Sequence, residues 1–182
     1  MAFADTLLSE TDATIAMVDR RHRPGGHWND AYPFVRLHQP SSFYGVGSRP
    51  LGSGAKDESG HNRGMFELAS GQEVLSHFDL TMHQQFLPSG RVHWFPMSAA
   101  DPDGTITSLM SGERTRIQAR KVVDASHSQM RIPSVDPPGY VVDPGVECVP
   151  PNDLPRRGAG HDQYVIVGAG KTAMDACIWL LD

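Results

Sequence analysis

The apolar residues change period several times along the chain, and each change marks an element. Phe3 and Leu7 stand one helical turn apart, with Ala4 and Leu8 beside them, so residues 2–8 are expected to be helical. Residues 14–18 form a short β-branched and apolar run that stops at Asp19, the pattern of a buried parallel strand. Pro24-Gly25-Gly26 then breaks the chain, and residues 31–55 have little periodicity. The aromatic side chains there, with Val35 and Leu37, favour an ordered, packed loop.

Ser70, with Glu73 three residues on, spells a capping box ahead of a helix whose apolar stripe is Val74, Leu75, Phe78 and Met82. Pro88-Ser89-Gly90 ends that helix, and residues 91–95 read as a strand. Asp103-Gly104 and Ser111-Gly112 are turn signals around residues 105–110 and 114–119, an expected antiparallel meander. Residues 121–124 read as one more strand. A Pro-, Gly- and Asp-rich connector spans 133–157, followed by a strand at 164–167 and a helix at 172–181.

Composition narrows the classes. The net charge of −5 with scattered basic residues leaves no electrostatic footprint for nucleic acid. No apolar run approaches the ~20 residues a membrane helix needs, and the first residues lack a charged-then-apolar leader. Cys148 and Cys177 are too far apart for a CxxC pair, so the expected setting is cytoplasmic with small, inert thiols. At 182 residues the length suits one domain with any second domain partial.

The strongest local motif runs from Tyr164 through Val165, Ile166 and Val167 to Gly168, Ala169, Gly170, Lys171, Thr172 and Ala173. It follows an expected strand and opens an expected helix, the context a dinucleotide-binding turn requires. Gly168 permits the tight turn, Gly170 lets backbone approach a pyrophosphate, and Ala173 is small enough for close helix packing. Lys171 and Thr172 are candidates for phosphate contact at the helix start. A Walker loop is excluded, because the glycine it needs five positions before Gly170 is Val165.

At the other end, an acid closing the 14–18 strand fits the second strand of a dinucleotide fold, where it accepts from a ribose. The glycine turn that should lie ~20 residues earlier would fall ahead of Met1. The expectation is therefore a fold entered partway.

Asp19-Arg20-Arg21-His22, then Pro24-Gly25-Gly26-His27-Trp28, then Tyr32-Pro33 to Pro40-Ser41, followed far downstream by the Gly168 turn, resembles the flavin-containing monooxygenases and related pyridine-nucleotide flavoproteins. The resemblance covers essentially the whole chain. It implies an α/β, FAD/NAD(P)-binding Rossmann-like three-layer fold with a small antiparallel β meander, truncated at both ends. Residues 1–150 would be a partial FAD-binding domain, and 151–182 a connector and the start of an NAD(P)-binding domain.

The resemblance also implies roles. Asp19 would accept from the adenosine ribose, with Arg20 or Arg21 flanking it. Gly25, Gly26, His27 and Trp28 would line the pyrophosphate and ribityl region; Arg36, Gln39 and Ser41 would approach the flavin; backbone near Met97 would contact adenine. Asp124-Ala125-Ser126 stands where relatives carry Ala-Thr-Gly, and Arg157-Gly158-Ala159-Gly160-His161 only loosely follows the Phe-x-Gly-x-x-x-His element of the monooxygenases.

The implied cofactors are FAD and NAD(P), and the implied partner a small-molecule substrate. The activity would be transfer of hydride from nicotinamide to flavin, with monooxygenation one outcome. No side chain is needed as a nucleophile. Losing two or three hydrogen bonds from the absent glycine turn, at about 1.5–3 kcal/mol each, would cost about 3–9 kcal/mol of FAD binding, so weak binding is expected. The alternative is a degenerate or non-catalytic dinucleotide-binding module.

Other chemistry is not favoured. His22 with His27, and His77 with His83, lie five and six apart rather than at the i, i+4 spacing of a helical metal site. There is no GxSxG nucleophile turn, and Asp124, Ser126 and His127 are contiguous rather than a triad.

Overall fold

The computed structural model describes residues 1–126, 136 and 138–182. Helix α1 (Ala2–Glu10) leads into strand β1 (Ile15–Val18), which pairs in parallel with β2 (Val92–Phe95), Ile15 opposite Val92 and Val18 opposite Phe95. A parallel pair needs a long crossover, and here it carries helix α2 (Gly71–Thr81). Ser70 caps α2 as its sequence implies: the Glu73 N–H donates to Ser70 Oγ at 3.3 Å, and the Ser70 N–H donates to Glu73 Oε2 at 2.7 Å. A π turn at Met82–Phe86 and a 3₁₀ turn at Leu87–Ser89 extend the helix until Gly90, at φ 69°, stops it.

The apolar stripe of this helix supplies two cores. Met82 and Phe86 are fully buried with Ala4 and Val92, and Ile15, Met17 and Trp94 close around them. On the other side Val74 packs with Leu37, Leu51 and Ala69, under Trp28, Tyr44 and Phe78. Burying side chains of this size stabilises by about 1.5–3 kcal/mol each, which holds the irregular 31–55 segment in one conformation. A 3₁₀ turn at Gly26–Asp30 leads into that segment, which makes another at Ser41–Phe43 and buries Val35, Val46 and Leu51.

The meander is present but differs in extent. Strands β3 (Ser98–Ala100), β4 (Thr105–Ser108) and β5 (Arg114–Arg116) form an antiparallel sheet, with Ser98 opposite Ser108 and Thr105 opposite Arg116. The small, weakly patterned Ser98-Ala99-Ala100 gave no strand signal in the sequence.

Two expected strands do not form. Residues 121–124 and 164–167 join no ladder, and Val122, Val123, Val165 and Val167 are exposed at 82%, 58%, 81% and 68%. Apolar β-branched runs become strands only when a neighbouring edge satisfies their backbone, and none of the described residues supplies one. A one-turn helix α3 (Leu154–Arg157) forms at the end of the expected connector, and α4 (Lys171–Leu181) follows it. Residues 133–135 and 137 of that connector, and His127, lie outside the described residues. Among the described residues no helix is long and apolar enough to cross a membrane.

Candidate functional site

Asp19 and Met97 come together at the carboxyl ends of the parallel pair β1 and β2. Asp19 follows β1; its N–H donates to Phe95 O at 3.1 Å and its carbonyl accepts from the Ser98 N–H at 2.9 Å. Its carboxylate Oδ1 accepts the Arg21 N–H at 2.9 Å, while Oδ2 has no partner among the described residues. Opposite, the Met97 N–H donates to Arg21 O at 3.0 Å, with Met97 at φ 47°. A non-glycine residue in this region costs on the order of 1–3 kcal/mol, and such strain gathers at ligand sites. The structure thus brings Asp19, Arg21 and Met97 together. Arg20 is exposed beside them.

Gly25 and Gly26 have different reasons to be glycine. At Gly25, φ 125°, a Cβ would meet Leu75 Cδ2 at 2.5 Å, so the backbone passes hard against α2. At Gly26, φ 54°, a Cβ would meet nothing within 4 Å, so the left-handed turn alone selects glycine and one backbone face stays open. Asn29 Nδ2 fastens this turn by donating to Gly26 O at 3.0 Å, and Arg23 Nε donates to Asn29 Oδ1 at 2.7 Å. His27 is exposed, its ring 5.5 Å from that of Trp28. Trp28 stands edge-on to Tyr44, donates its indole N–H to the Tyr44 hydroxyl and packs half-buried against the Val74 core. Arg21 is tied to Asp30 by a half-buried ion pair that the sequence reading did not single out.

Arg36, Gln39 and Ser41 do not join this group. Gln39 is exposed. Arg36 Nη1 donates to Leu68 O at 3.1 Å. Ser41, only 1% exposed, uses its hydroxyl fully: Oγ donates to Glu67 O and accepts from the Ala69 N–H, both at 2.8 Å. Arg36 and Ser41 instead line a separate open cavity of about 420 Å³ against α2, lined neither by Asp19 and Met97 nor by the Gly25 turn. Asp124 and Ala125 are exposed; the Asp124 carboxylate accepts from the Ser126 N–H and hydroxyl, which holds its pKa below the usual carboxylate range.

At the second motif, Gly168 sits at φ 149° and a Cβ there would stand 3.4 Å from Ala173 Cβ, the close turn-to-helix approach expected of Ala173. Gly170 is the N-cap residue, in extended backbone with open space around it. Thr172 is exposed and lies within hydrogen-bonding reach of Tyr32. The ammonium of Lys171 is engaged: it pairs with Asp175 one turn on and reaches the Tyr32 hydroxyl at 3.4 Å.

The Tyr32 hydroxyl also donates to Asp175 Oδ2 at 2.7 Å, and burial, then this bond, push its pKa well above the usual phenol value. Phe34 stacks on Trp179 with ring centroids 5.3 Å apart. These contacts dock α4 on the loop after Trp28. The Lys171/Asp175 spacing of four was the legible signal for the pair; Tyr32, 143 residues from Asp175, had none.

No protein-family model matches the chain, and no solved structure matches it significantly. It is 51% identical, over 181 residues and its whole length, to an uncharacterized protein of Mycobacterium bovis and to uncharacterized proteins of two Mycobacterium tuberculosis strains. The chain spans 34%, about a third, of the length of each of these relatives.

Proposed function

We propose that this chain is part of an FAD-dependent oxidoreductase that uses NAD(P)H, with its adenosine site at the carboxyl ends of β1 and β2. The observation that carries the reading is Asp19 at the end of a parallel strand, its Oδ2 lacking a partner among the described residues, beside the strained backbone of Met97. The residues at the strand end fit the adenosine half of the cofactor: Asp19 would accept ribose hydroxyls beside the Met97 turn, whose own N–H and carbonyl are held by Arg21 O and the Leu109 N–H. Gly26, with an open left-handed backbone, suits the approach of phosphate oxygens. When bound, the flavin supplies hydride acceptance and onward electron transfer. The chain's own residues bind and orient.

At the other turn, Gly168 and Gly170 would admit the nicotinamide dinucleotide's pyrophosphate to the start of α4. The substrate would be a small molecule and the setting cytoplasmic; Cys148 and Cys177 are both free thiols. Monooxygenation is the narrower form of the same proposal.

A second reading, a non-catalytic dinucleotide-binding module, is favoured by the engagement of Lys171 with Asp175 and Tyr32. NADPH-driven reduction of added FAD by the chain would decide for the enzyme, since a non-catalytic module supports no turnover.

The test of the adenosine site is titration of the 182-residue chain with ADP, followed by amide chemical shifts. Saturable shifts at Asp19, Gly26 and Met97 are expected. Asp19→Ala should weaken ADP by at least about tenfold, since hydrogen bonds to charged groups are worth about 1.5–3 kcal/mol. Unchanged affinity in Asp19→Ala would overturn the reading.

A further inference from the structure

The 420 Å³ cavity against α2 is large enough for a small organic ligand rather than a single ion. Its apolar wall is Leu51, Leu68 and Leu80. Its acidic lining groups are already met by donors of their own loops. Glu67 Oε1 accepts from the Ser53 N–H and hydroxyl and the Gly54 N–H, Glu73 serves the α2 capping box, and Asp57 Oδ2 accepts from Asn62 Nδ2 at 2.8 Å.

The basic lining is less fully used. Arg49 forms no ion pair among the described residues; both of its Nη atoms donate to one neutral acceptor, Gln84 Oε1, at 3.2 and 2.8 Å. A guanidinium has five N–H donors, so most of its fork is open to an acceptor. His77, also in the lining, is 5% exposed, and its Nε2 is the buried side-chain polar atom without a hydrogen-bond partner among the described residues. A buried polar group left unmade is destabilising, and a ligand that reaches it relieves that cost. Burial, and next the charge of Arg49, hold His77 below its ordinary pKa and keep it neutral, so that in the Nε2–H tautomer it donates without adding charge.

We infer that this cavity is a binding site for a small amphipathic carboxylate, its carboxylate on the open fork of Arg49 with His77 Nε2 as the second donor, and its aliphatic part against Leu51, Leu68 and Leu80. The site is independent of the adenosine crevice, with which it shares neither Asp19 nor Met97, so it stands or falls apart from the flavin reading.

The test titrates the 182-residue chain with 4-methylpentanoate at constant ionic strength. Arg49 Nε–H and His77 imidazole resonances are followed by NMR, with 4-methylpentanamide and chloride as controls. The carboxylate should give saturable shifts at both residues, and the controls should not. Arg49→Gln should weaken binding by about tenfold or more, the loss of a charge-assisted hydrogen bond. Arg49→Lys, which keeps the charge but loses the fork, should fall between. His77→Phe, which removes the unpartnered atom, should weaken binding while leaving the Arg49 shifts saturable. Absence of saturable shifts in the parent chain, equal binding of the neutral amide, or an unchanged dissociation constant in Arg49→Gln would overturn the assignment.

Discussion

Replacing Ser41 with alanine separates a structural serine from a flavin-contacting one. The Ser41 hydroxyl is 1% exposed and joins two stretches of loop: it donates to Glu67 O and accepts from the Ala69 N–H, each at 2.8 Å. Alanine removes the first bond, a net loss of about 0.5–1.5 kcal/mol, and leaves the Ala69 N–H buried without a partner, a further loss of about 1–3 kcal/mol. The sum is about 1.5–4.5 kcal/mol, a large share of the roughly 5–15 kcal/mol that holds a domain. Urea unfolding followed by tryptophan fluorescence reads it directly. With a slope of about 2 kcal/mol per molar, the midpoint should fall by roughly 0.8–2.3 M with the slope unchanged. The exposed Gln39→Ala serves as control and should shift nothing. A Ser41→Ala midpoint within roughly 0.3 M of the parent would refute the clamp and return Ser41 to the ligand-binding candidates.

Three further outcomes rest on contacts already described. Gly25→Ala places a Cβ 2.5 Å from Leu75 Cδ2 at φ 125° and should cost more stability than Gly26→Ala, which meets strain on the order of 1–3 kcal/mol but no clash; equal midpoints would refute the close approach. Ser70→Ala removes the α2 cap and should cost about 0.5–2 kcal/mol by thermal or urea unfolding, with Glu73→Gln losing part of the same contribution. Because His77 titrates lower in the fold than in the unfolded chain, the unfolded chain binds the extra proton: stability should be complete above about pH 6.5 and fall as pH drops below it. Urea midpoints of His77→Phe should lack that slope; its persistence would assign the acid sensitivity elsewhere.

What was legible in the sequence was whatever a segment decides locally. The α2 capping box, the Gly90 stop and the β1 run ending at Asp19 depend on neighbours within a few residues, and each stands where the pattern put it. Gly25 and Gly26 were legible as special, but not why they differ, since the Leu75 contact spans 50 positions of sequence. The roles of Ser41 and Tyr32 were illegible for the same reason. Serine in a polar loop carries no sign of being sealed beneath Glu67 and Ala69, and nothing near Tyr32 announces a carboxylate on α4.

The two runs that did not become strands make the complementary point. Residues 121–124 and 164–167 have the β-branched composition of β1, yet β1 is a strand because β2 receives its backbone and because Ile15 and Met17 close over Met82 and Phe86. Val122 and Val165 have neither a ladder nor a core. Strand identity is thus a property of an edge and a face together. On the proposed nucleotide-binding reading both runs belong beside further parallel strands, those of 164–167 in a second sheet. A site built at strand ends inherits this dependence. Asp19 and Met97 are held because β1 and β2 pair and because the Met97 turn closes on Arg21 and Leu109, whereas the Gly168 turn is positioned by α4 docking through Tyr32 and Trp179. By amide hydrogen exchange, the strand ends around Asp19 and Met97 should therefore remain ordered when Asp175 is changed to alanine, and the second turn should not.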